Sequence, residues 1–237
     1  MSSRQQEKEQ RQQERLAREQ AAKAAPRRQR RLRQAGSATI AAAAVAAVVL
    51  SVSSSDRLGS SSGTPTSHPV TGVTLPKQRI TDLHAAAQVA GCQLHDYPNF
   101  GRTHLDGSLT YKTNPPTSGN HNPVPASDGV YDPGKEPAKE HLVHSLEHGR
   151  VEIQYRPGTP MAQVKELEAL FKEPLKGQAG YKELLFRNDT NMPFAVAAVA
   201  WTHLLGCPTF NAGVIDAIRT FRATYVDQGP EDIPFPE

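Results

Sequence analysis

No charged residue occurs between Arg33 and Asp56, and this gap of 22 residues restricts how the chain can fold. As a helix, the gap would extend roughly 33 Å, close to the thickness of the apolar core of a bilayer. We therefore predict a single transmembrane helix over residues 37–55, so that any globular domain must follow it. A cleaved signal peptide is the alternative, but the region before the apolar run is unusually long, and no clear Ala-x-Ala cleavage site follows the run.

Charge is unevenly distributed along the chain. Residues 1–36 contain eleven Lys or Arg and four Glu, whereas the remainder contains 16 basic and 20 acidic residues. The basic cluster "RRQRRLR" lies just before the apolar segment and should stay in the cytoplasm, which places the C-terminal part outside the cell membrane. The acidic balance of that part argues against a nucleic-acid-binding domain, which would carry its basic residues on the fold itself.

A stretch rich in Ser, Thr, Gly and Pro follows the predicted anchor and has the composition of a flexible linker. The residues after it are numerous enough to bury a hydrophobic core. We predict four parts: a basic cytoplasmic tail (1–36), a transmembrane anchor (37–55), a linker (56–74) and an extracytoplasmic domain (75–237).

Four segments of this domain have the pattern of helices. They are "TDLHAAAQVAGC" with Thr81 as its N-cap, "EPAKEHLVHSLEHG" with Gly149 at its end, "TPMAQVKELEALFKEP" with Thr159 as its N-cap, and "NAGVIDAIRTFRATYVDQG". Capping residues, first-turn prolines and apolar positions at helical spacing support each assignment.

Other segments have the pattern of strands. "RVEIQYRP" alternates Val151, Ile153 and Tyr155 on one face, and "YKELLFRN" and "FAVAAVAW" predict two more strands. "THLDGSLTYKT" predicts a hairpin around its Asp-Gly turn, and "NPPTSGNHNPVPASDGVYDPG" predicts a long loop. Together these patterns predict an α+β fold, with three or four helices packed on a small, mostly antiparallel sheet.

The two cysteines, Cys92 and Cys207, both lie beyond the predicted anchor. In an oxidising compartment they can form a disulfide, and no other cysteine competes for either of them. A pair of thiolate ligands for a metal is the alternative, although the cysteines lack the close spacing of such ligands. We predict the disulfide.

The segment "HLVHSLEHG" contains three histidines and a glutamate. On a helix, His141, His144 and His148 share one face, and Glu147 lies at its edge. Imidazole is a good ligand for zinc and copper, and two histidines four residues apart can bind one ion. The alternative is an ordinary helix end without a metal, where the negative end of the helix dipole favours protonated histidines.

A tight site needs further ligands, and the other candidates lie before this helix. His104 begins the predicted hairpin, and His121 lies in the long loop. We therefore predict a copper or zinc site formed by His104, His121, His144 and His148. The spacing of His144, Glu147 and His148 also matches the H-x-x-E-H pattern of certain metallopeptidases. In that interpretation Glu147 is the general base, and Glu166 or Glu168 would complete the ligand set.

Several blocks of the sequence resemble the DUF3105 family of bacterial membrane-anchored proteins. The resemblance covers roughly Ile80 to Glu231 and is carried by "GCQLHDYPNFGRTHL", "YKTNPPTSGNHN", "HLVHSLEHGRVEIQYRP", "MPFAVAAVAW" and "GPE". It implies an anchored extracytoplasmic domain of unassigned function. The matching positions include His104, His121, His144, Glu147 and His148, which strengthens the expectation of a metal or polar-ligand site. A metal-dependent hydrolase and a metal-free interaction domain remain the alternatives, and no protein partner is predicted.

Overall fold

The structure is a computed structural model that describes residues 63–66 and 72–235. The predicted tail, the predicted anchor and most of the predicted linker lie outside these residues. Within the described part of the chain, no helix is long and apolar enough to cross a membrane. A short part of the predicted linker is described, and there Thr66 forms an antiparallel bridge with Val130.

A six-stranded mixed sheet forms the centre of the domain. In the order of their neighbours, its strands are β1 (Gln93–Asp96), β8 (His203–Cys207), β7 (Val196–Ala200), β3 (Val151–Tyr155), β6 (Glu183–Arg187) and β2 (Gly129–Val130). The neighbouring pairs β1–β8, β8–β7 and β7–β3 are antiparallel, whereas β6 is parallel to both β3 and β2. A separate two-stranded hairpin joins β4 (Pro174–Leu175) to β5 (Gln178–Ala179).

Four helices occur among the described residues, and they cover both faces of the sheet. They are α1 (Leu83–Ala90), α2 (Lys139–Glu147), α3 (Met161–Lys172) and α4 (Val214–Tyr225). The largest core cluster contains residues from α1, α3 and α4, and Val143 and Leu146 of α2 pack in another cluster with Ala197 and Val199 of β7. Since β7 contributes alternate residues to the two clusters, α2 lies on the opposite face from the other helices. The predicted α+β class and the mostly antiparallel sheet are confirmed.

The starts of two helices differ from the prediction. The N-cap of α1 is Asp82 rather than Thr81, because the Asp82 carboxylate accepts a hydrogen bond from the Ala85 amide at 2.8 Å. Helix α3 begins after Pro160, and the Thr159 hydroxyl donates to the Arg156 carbonyl instead of capping the helix. For α1 the neighbouring Asp82 offers the same capping chemistry as Thr81, whereas α3 starts after a proline and has no side-chain cap.

The hairpin predicted in "THLDGSLTYKT" is wrong. The only pairing in this stretch among the described residues is an isolated parallel bridge between His104 and His121. Leu105 is 40% exposed, and Leu109 and Tyr111 are only partly buried, so the segment lacks the fully buried apolar face that would stabilise a strand pair. Strands β1 and β8 were not predicted, and β3 lies between the predicted strands β6 and β7.

A disulfide joins Cys92 to Cys207, as predicted. Cys92 precedes β1 and Cys207 ends β8, and these two strands pair antiparallel with Gln93 opposite Gly206. The register of the sheet therefore brings the two cysteines side by side. Because both sulfurs are bonded to each other, the alternative of two thiolate metal ligands is wrong.

Candidate metal centre

Helix α2 presents its polar side chains to a long loop while its apolar residues pack on the sheet. Leu142, Val143 and Leu146 are buried in the core, as the spacing of the leucines indicated. The helix ends at Glu147, His148 is its C-cap residue, and Gly149 follows with φ of 77°. A glycine tolerates this left-handed conformation, which ends a helix without strain.

The long loop that precedes α2 places His121 in the interior of the domain. His121 is fully buried, and its backbone pairs with the segment that holds His104. The Leu105 amide donates to the His121 carbonyl at 2.8 Å, and the His121 amide donates to the Thr103 carbonyl at 3.1 Å. This bridge holds His104 next to His121, with 4.9 Å between the ring centroids.

Four side chains converge at this place. One potential ligand atom from each of them lies within 4.8 Å of all the others: His104, His121, His144 and Glu147. His121, His144 and Glu147 are buried, whereas the side chain of His104 is 44% exposed and leaves one side of the cluster open to solvent. We call these four residues the metal cluster.

Backbone carbonyls select the tautomer of two of these histidines. His121 Nδ1 donates to the Gly119 carbonyl at 2.8 Å, and His144 Nδ1 donates to the Asn122 carbonyl at 2.6 Å. A carbonyl only accepts, so Nδ1 carries the proton, and a neutral ring then keeps a lone pair on Nε2. Metal-binding histidines are oriented in the same way in proteins.

The pKa of His144 is lowered to about 4. Burial is the largest cause, and the charges of His148, His121 and His104 lower it further, although the hydrogen bond to Asn122 opposes them. His144 is therefore neutral at neutral pH, as a metal ligand must be.

Glu147 is the acidic member of the cluster. Burial alone would raise its pKa, but the hydrogen bond from Arg102 and the charges of His121 and Arg102 outweigh burial and lower the pKa. Arg102 Nε donates to Glu147 Oε1 at 2.6 Å, whereas Oε2 lies 2.9 Å from His121 Nε2 and 3.5 Å from His104 Nε2. One oxygen thus binds the arginine and the other faces the histidines.

The remaining histidines of α2 lie at different places. His148 is next to the cluster, with its Nε2 2.9 Å from His144 Nε2, but it is not one of the four converging residues. His141 Nδ1 lies 2.6 Å from the Val124 carbonyl oxygen, and His141 is not one of the four converging residues either. Glu166 and Glu168 belong to α3, on the opposite face of the sheet, so neither completes a ligand set with His144 and His148.

Two residues at the site were not predicted. Arg102 contacts Glu147, and its NH2 group also donates to Glu231 Oε1 at 3.2 Å. Glu231 Oε2 lies 3.6 Å from His148 Nε2. The block "GPE" contains Glu231, but nothing in the spacing of a distant C-terminal residue indicated that it would contact α2.

No curated protein and no solved structure matches this chain. The profile of one family, described as "Protein of unknown function (DUF3105)", matches residues 103–234. This range is more than half of the chain and contains all four residues of the metal cluster together with His148 and Glu231. The chain belongs to the DUF3105 family.

Proposed function

We propose that this domain binds a transition metal ion, copper or zinc, through His104, His121, His144 and Glu147, with His148 at the edge of the site. One observation carries the proposal. Two buried imidazoles bind backbone carbonyls through Nδ1, and their Nε2 atoms face other potential ligands: His121 Nε2 lies 2.9 Å from Glu147 Oε2, and His144 Nε2 lies 2.9 Å from His148 Nε2. Lone pairs of nitrogen and oxygen repel one another unless a proton or a metal ion lies between them.

The donor set suits zinc or copper. Imidazole nitrogen binds both ions well, and a carboxylate oxygen commonly completes zinc sites. The single carboxylate also offsets part of the charge of a divalent ion in a mostly buried place. Histidine rings that pointed apart would instead favour a metal-free interaction domain, and here the rings converge.

The geometry supports binding better than hydrolysis by Glu147. A general base needs a carboxylate oxygen that can take a proton from water, and its pKa is usually raised for this task. Here the pKa of Glu147 is lowered, Oε1 accepts from Arg102, and Oε2 faces His121. Glu147 therefore fits the role of a ligand.

We also propose that the domain is held outside the cell membrane by an N-terminal anchor at residues 37–55. The uncharged segment and the basic cluster before it support this topology. The Cys92–Cys207 disulfide adds support, because disulfides persist in oxidising compartments. A cysteine introduced at Ser60 should react with a membrane-impermeant thiol reagent in intact cells. Labelling that occurs only after the cells are lysed would contradict this topology.

Metal binding can be tested with two histidines that differ in little but their place. The side chain of His104 is 44% exposed in the cluster, and His84 is an exposed residue of α1. We expect the purified full chain to bind about one Cu²⁺ or Zn²⁺ ion, His104→Ala to weaken binding about tenfold or more, and His84→Ala to leave binding unchanged. Titration calorimetry with each metal measures the affinity, and elemental analysis gives the number of bound ions.

A further variant, His144→Ala, should remove most of the binding, because it deletes a buried ligand. Circular dichroism shows whether each variant is folded. Equal and weak binding by the wild type, His104→Ala and His84→Ala would contradict the proposed function.

A further inference from the structure

The C-terminal segment, residues 226–235, packs directly on the end of α2. The Asp227 amide donates to the Gly149 carbonyl at 2.9 Å, and the Glu231 amide donates to the Glu147 carbonyl at 3.1 Å. A Cβ atom built on Gly229 would lie 2.2 Å from the Gly149 nitrogen. Only a glycine allows such a close approach of the two backbones.

Side chains also hold the segment in this register. Asp227 Oδ1 lies 2.6 Å from Lys182 Nζ, and the Tyr181 hydroxyl donates to the Asp227 carboxylate at 3.3 Å. Lys182 is buried, so its ammonium group depends on this ion pair. The position of Glu231, four residues later, follows from these contacts and from its own backbone hydrogen bond.

Arg102 arranges two carboxylates in the same way. It donates to Oε1 of Glu147 and to Oε1 of Glu231. The Oε2 atom of each glutamate then faces a histidine: Glu147 faces His121 at 2.9 Å, and Glu231 faces His148 at 3.6 Å. The guanidinium thereby keeps two negative groups close together and directs one oxygen of each toward imidazole nitrogens.

His148 connects Glu231 to the metal cluster. Its Nε2 lies 2.9 Å from His144 Nε2. Two nitrogens bound to one ion at about 2 Å are themselves separated by about 3 Å, so this spacing allows both rings to bind the same ion.

We propose that the C-terminal segment is part of the metal centre, with Glu231 supplying a second carboxylate ligand on the side of His148. This inference rests on the proposed function. An ion held by His144 and His148 attracts the Glu231 carboxylate at the outer side of the site, where it is 38% exposed. Binding of the ion then restrains residues 226–235 against the end of α2.

The test compares two neighbouring acidic residues in the full chain. Glu231→Gln removes the proposed ligand, and Asp232→Asn removes the same charge from an exposed residue one position later. We expect Glu231→Gln to weaken Cu²⁺ or Zn²⁺ binding about tenfold in calorimetry, and Asp232→Asn to leave it within the error of the wild type.

Hydrogen exchange supplies a second measurement. Addition of the metal should slow exchange of the Glu231 amide in the wild type and in Asp232→Asn, but not in Glu231→Gln. This inference would be overturned if Glu231→Gln and Asp232→Asn had the same metal affinity and the same metal-induced protection. The proposed function would then still stand. Failure of the wild type to bind either metal would overturn both. If Glu231→Gln only accelerates exchange in the metal-free protein and keeps wild-type affinity, Glu231 holds the segment in place and is not a ligand.

Discussion

Individual backbone carbonyls set the chemistry of the buried histidines. The Gly119 and Asn122 carbonyls accept from His121 and His144, and they select the tautomer that leaves Nε2 available. The Asn122 amide itself donates to the Glu140 carbonyl of α2 at 3.1 Å, so the loop and the helix are joined at this residue. The main chain of the loop thus orients the histidines of the site.

Glu152 is a second buried acid with an altered pKa, outside the metal cluster. It lies on β3, it is 1% exposed, and its Oε2 accepts from Gln154 Nε2 at 2.8 Å. Burial raises its pKa to about 8, although the hydrogen bond from Gln154 opposes the rise. The folded protein therefore keeps a proton on Glu152 at neutral pH, whereas the unfolded chain releases it near pH 4.5.

This difference predicts a pH dependence of stability. Between about pH 4.5 and pH 8 the folded state keeps a proton on Glu152 that the unfolded chain has released, so this residue should lower the stability of the wild type, relative to Glu152→Gln, by about 1.4 kcal/mol for each pH unit. Glu152→Gln is neutral at every pH and should not show this loss, so that it is the more stable protein at pH 8 by on the order of 4 kcal/mol. Urea denaturation from pH 5 to pH 8 measures the difference. Glu166→Gln, on α3, is the control, and parallel curves for the wild type and Glu152→Gln would contradict the prediction.

At the scale of elements, the contact between α2 and the C-terminal segment depends on two glycines. Gly149 has φ of 77°, and a Cβ atom there would lie 2.9 Å from the Asp227 Cα. Gly229 approaches Glu147 and Gly149 from the other side. The end of the helix and the C-terminal segment are therefore packed too closely for either backbone to shift alone.

Replacement of Gly149 should lower the free energy of unfolding by more than backbone strain alone would. Gly158 has a similar φ of 81°, but a Cβ atom there meets no neighbour within 4 Å. We expect Gly158→Ala to cost about 1 kcal/mol of unfolding free energy, from backbone strain, and Gly149→Ala to cost about 3 kcal/mol, because the segment must also shift. Urea denaturation of both variants measures the two costs. Similar losses would show that residues 226–235 do not press on Gly149.

At the scale of the whole molecule, the disulfide joins the beginning of the domain to its last strand. The cysteines are 115 residues apart in sequence, and the metal cluster, α2, α3 and most of the sheet lie between them. A bond that closes so long a loop removes many conformations from the unfolded chain.

Loss of this bond should destabilise the domain by about 3 kcal/mol, within the usual range for native disulfides. The double variant Cys92→Ala/Cys207→Ala removes it by mutation, and a reductant removes it in the wild type without any change of side chain. Both should lower the urea midpoint, and thiol titration confirms that the bond is absent. An unchanged midpoint for the reduced wild type would contradict a stabilising role.

The sequence by itself determined the elements with strong local patterns and the residue types of the site. Periodicity predicted α2, α3, α4 and β3, and the histidine spacing on α2 placed His144 and His148 on one face, because helix geometry depends only on nearby residues. The chain contains two cysteines, so the sequence allowed a single disulfide within it, and the structure confirms this bond.

Only the tertiary structure decided which distant residues meet. The pairing of His104 with His121, the place of β3 between β6 and β7, and the contact of Glu231 with Arg102 all join segments that are far apart in sequence. Local patterns carry no record of such pairings, since these depend on sheet register and on the path of loops across a completed core. For the same reason the sequence offered Glu147 only as the general base of an alternative hydrolase, because its contact with Arg102, 45 residues away, does not follow from local spacing.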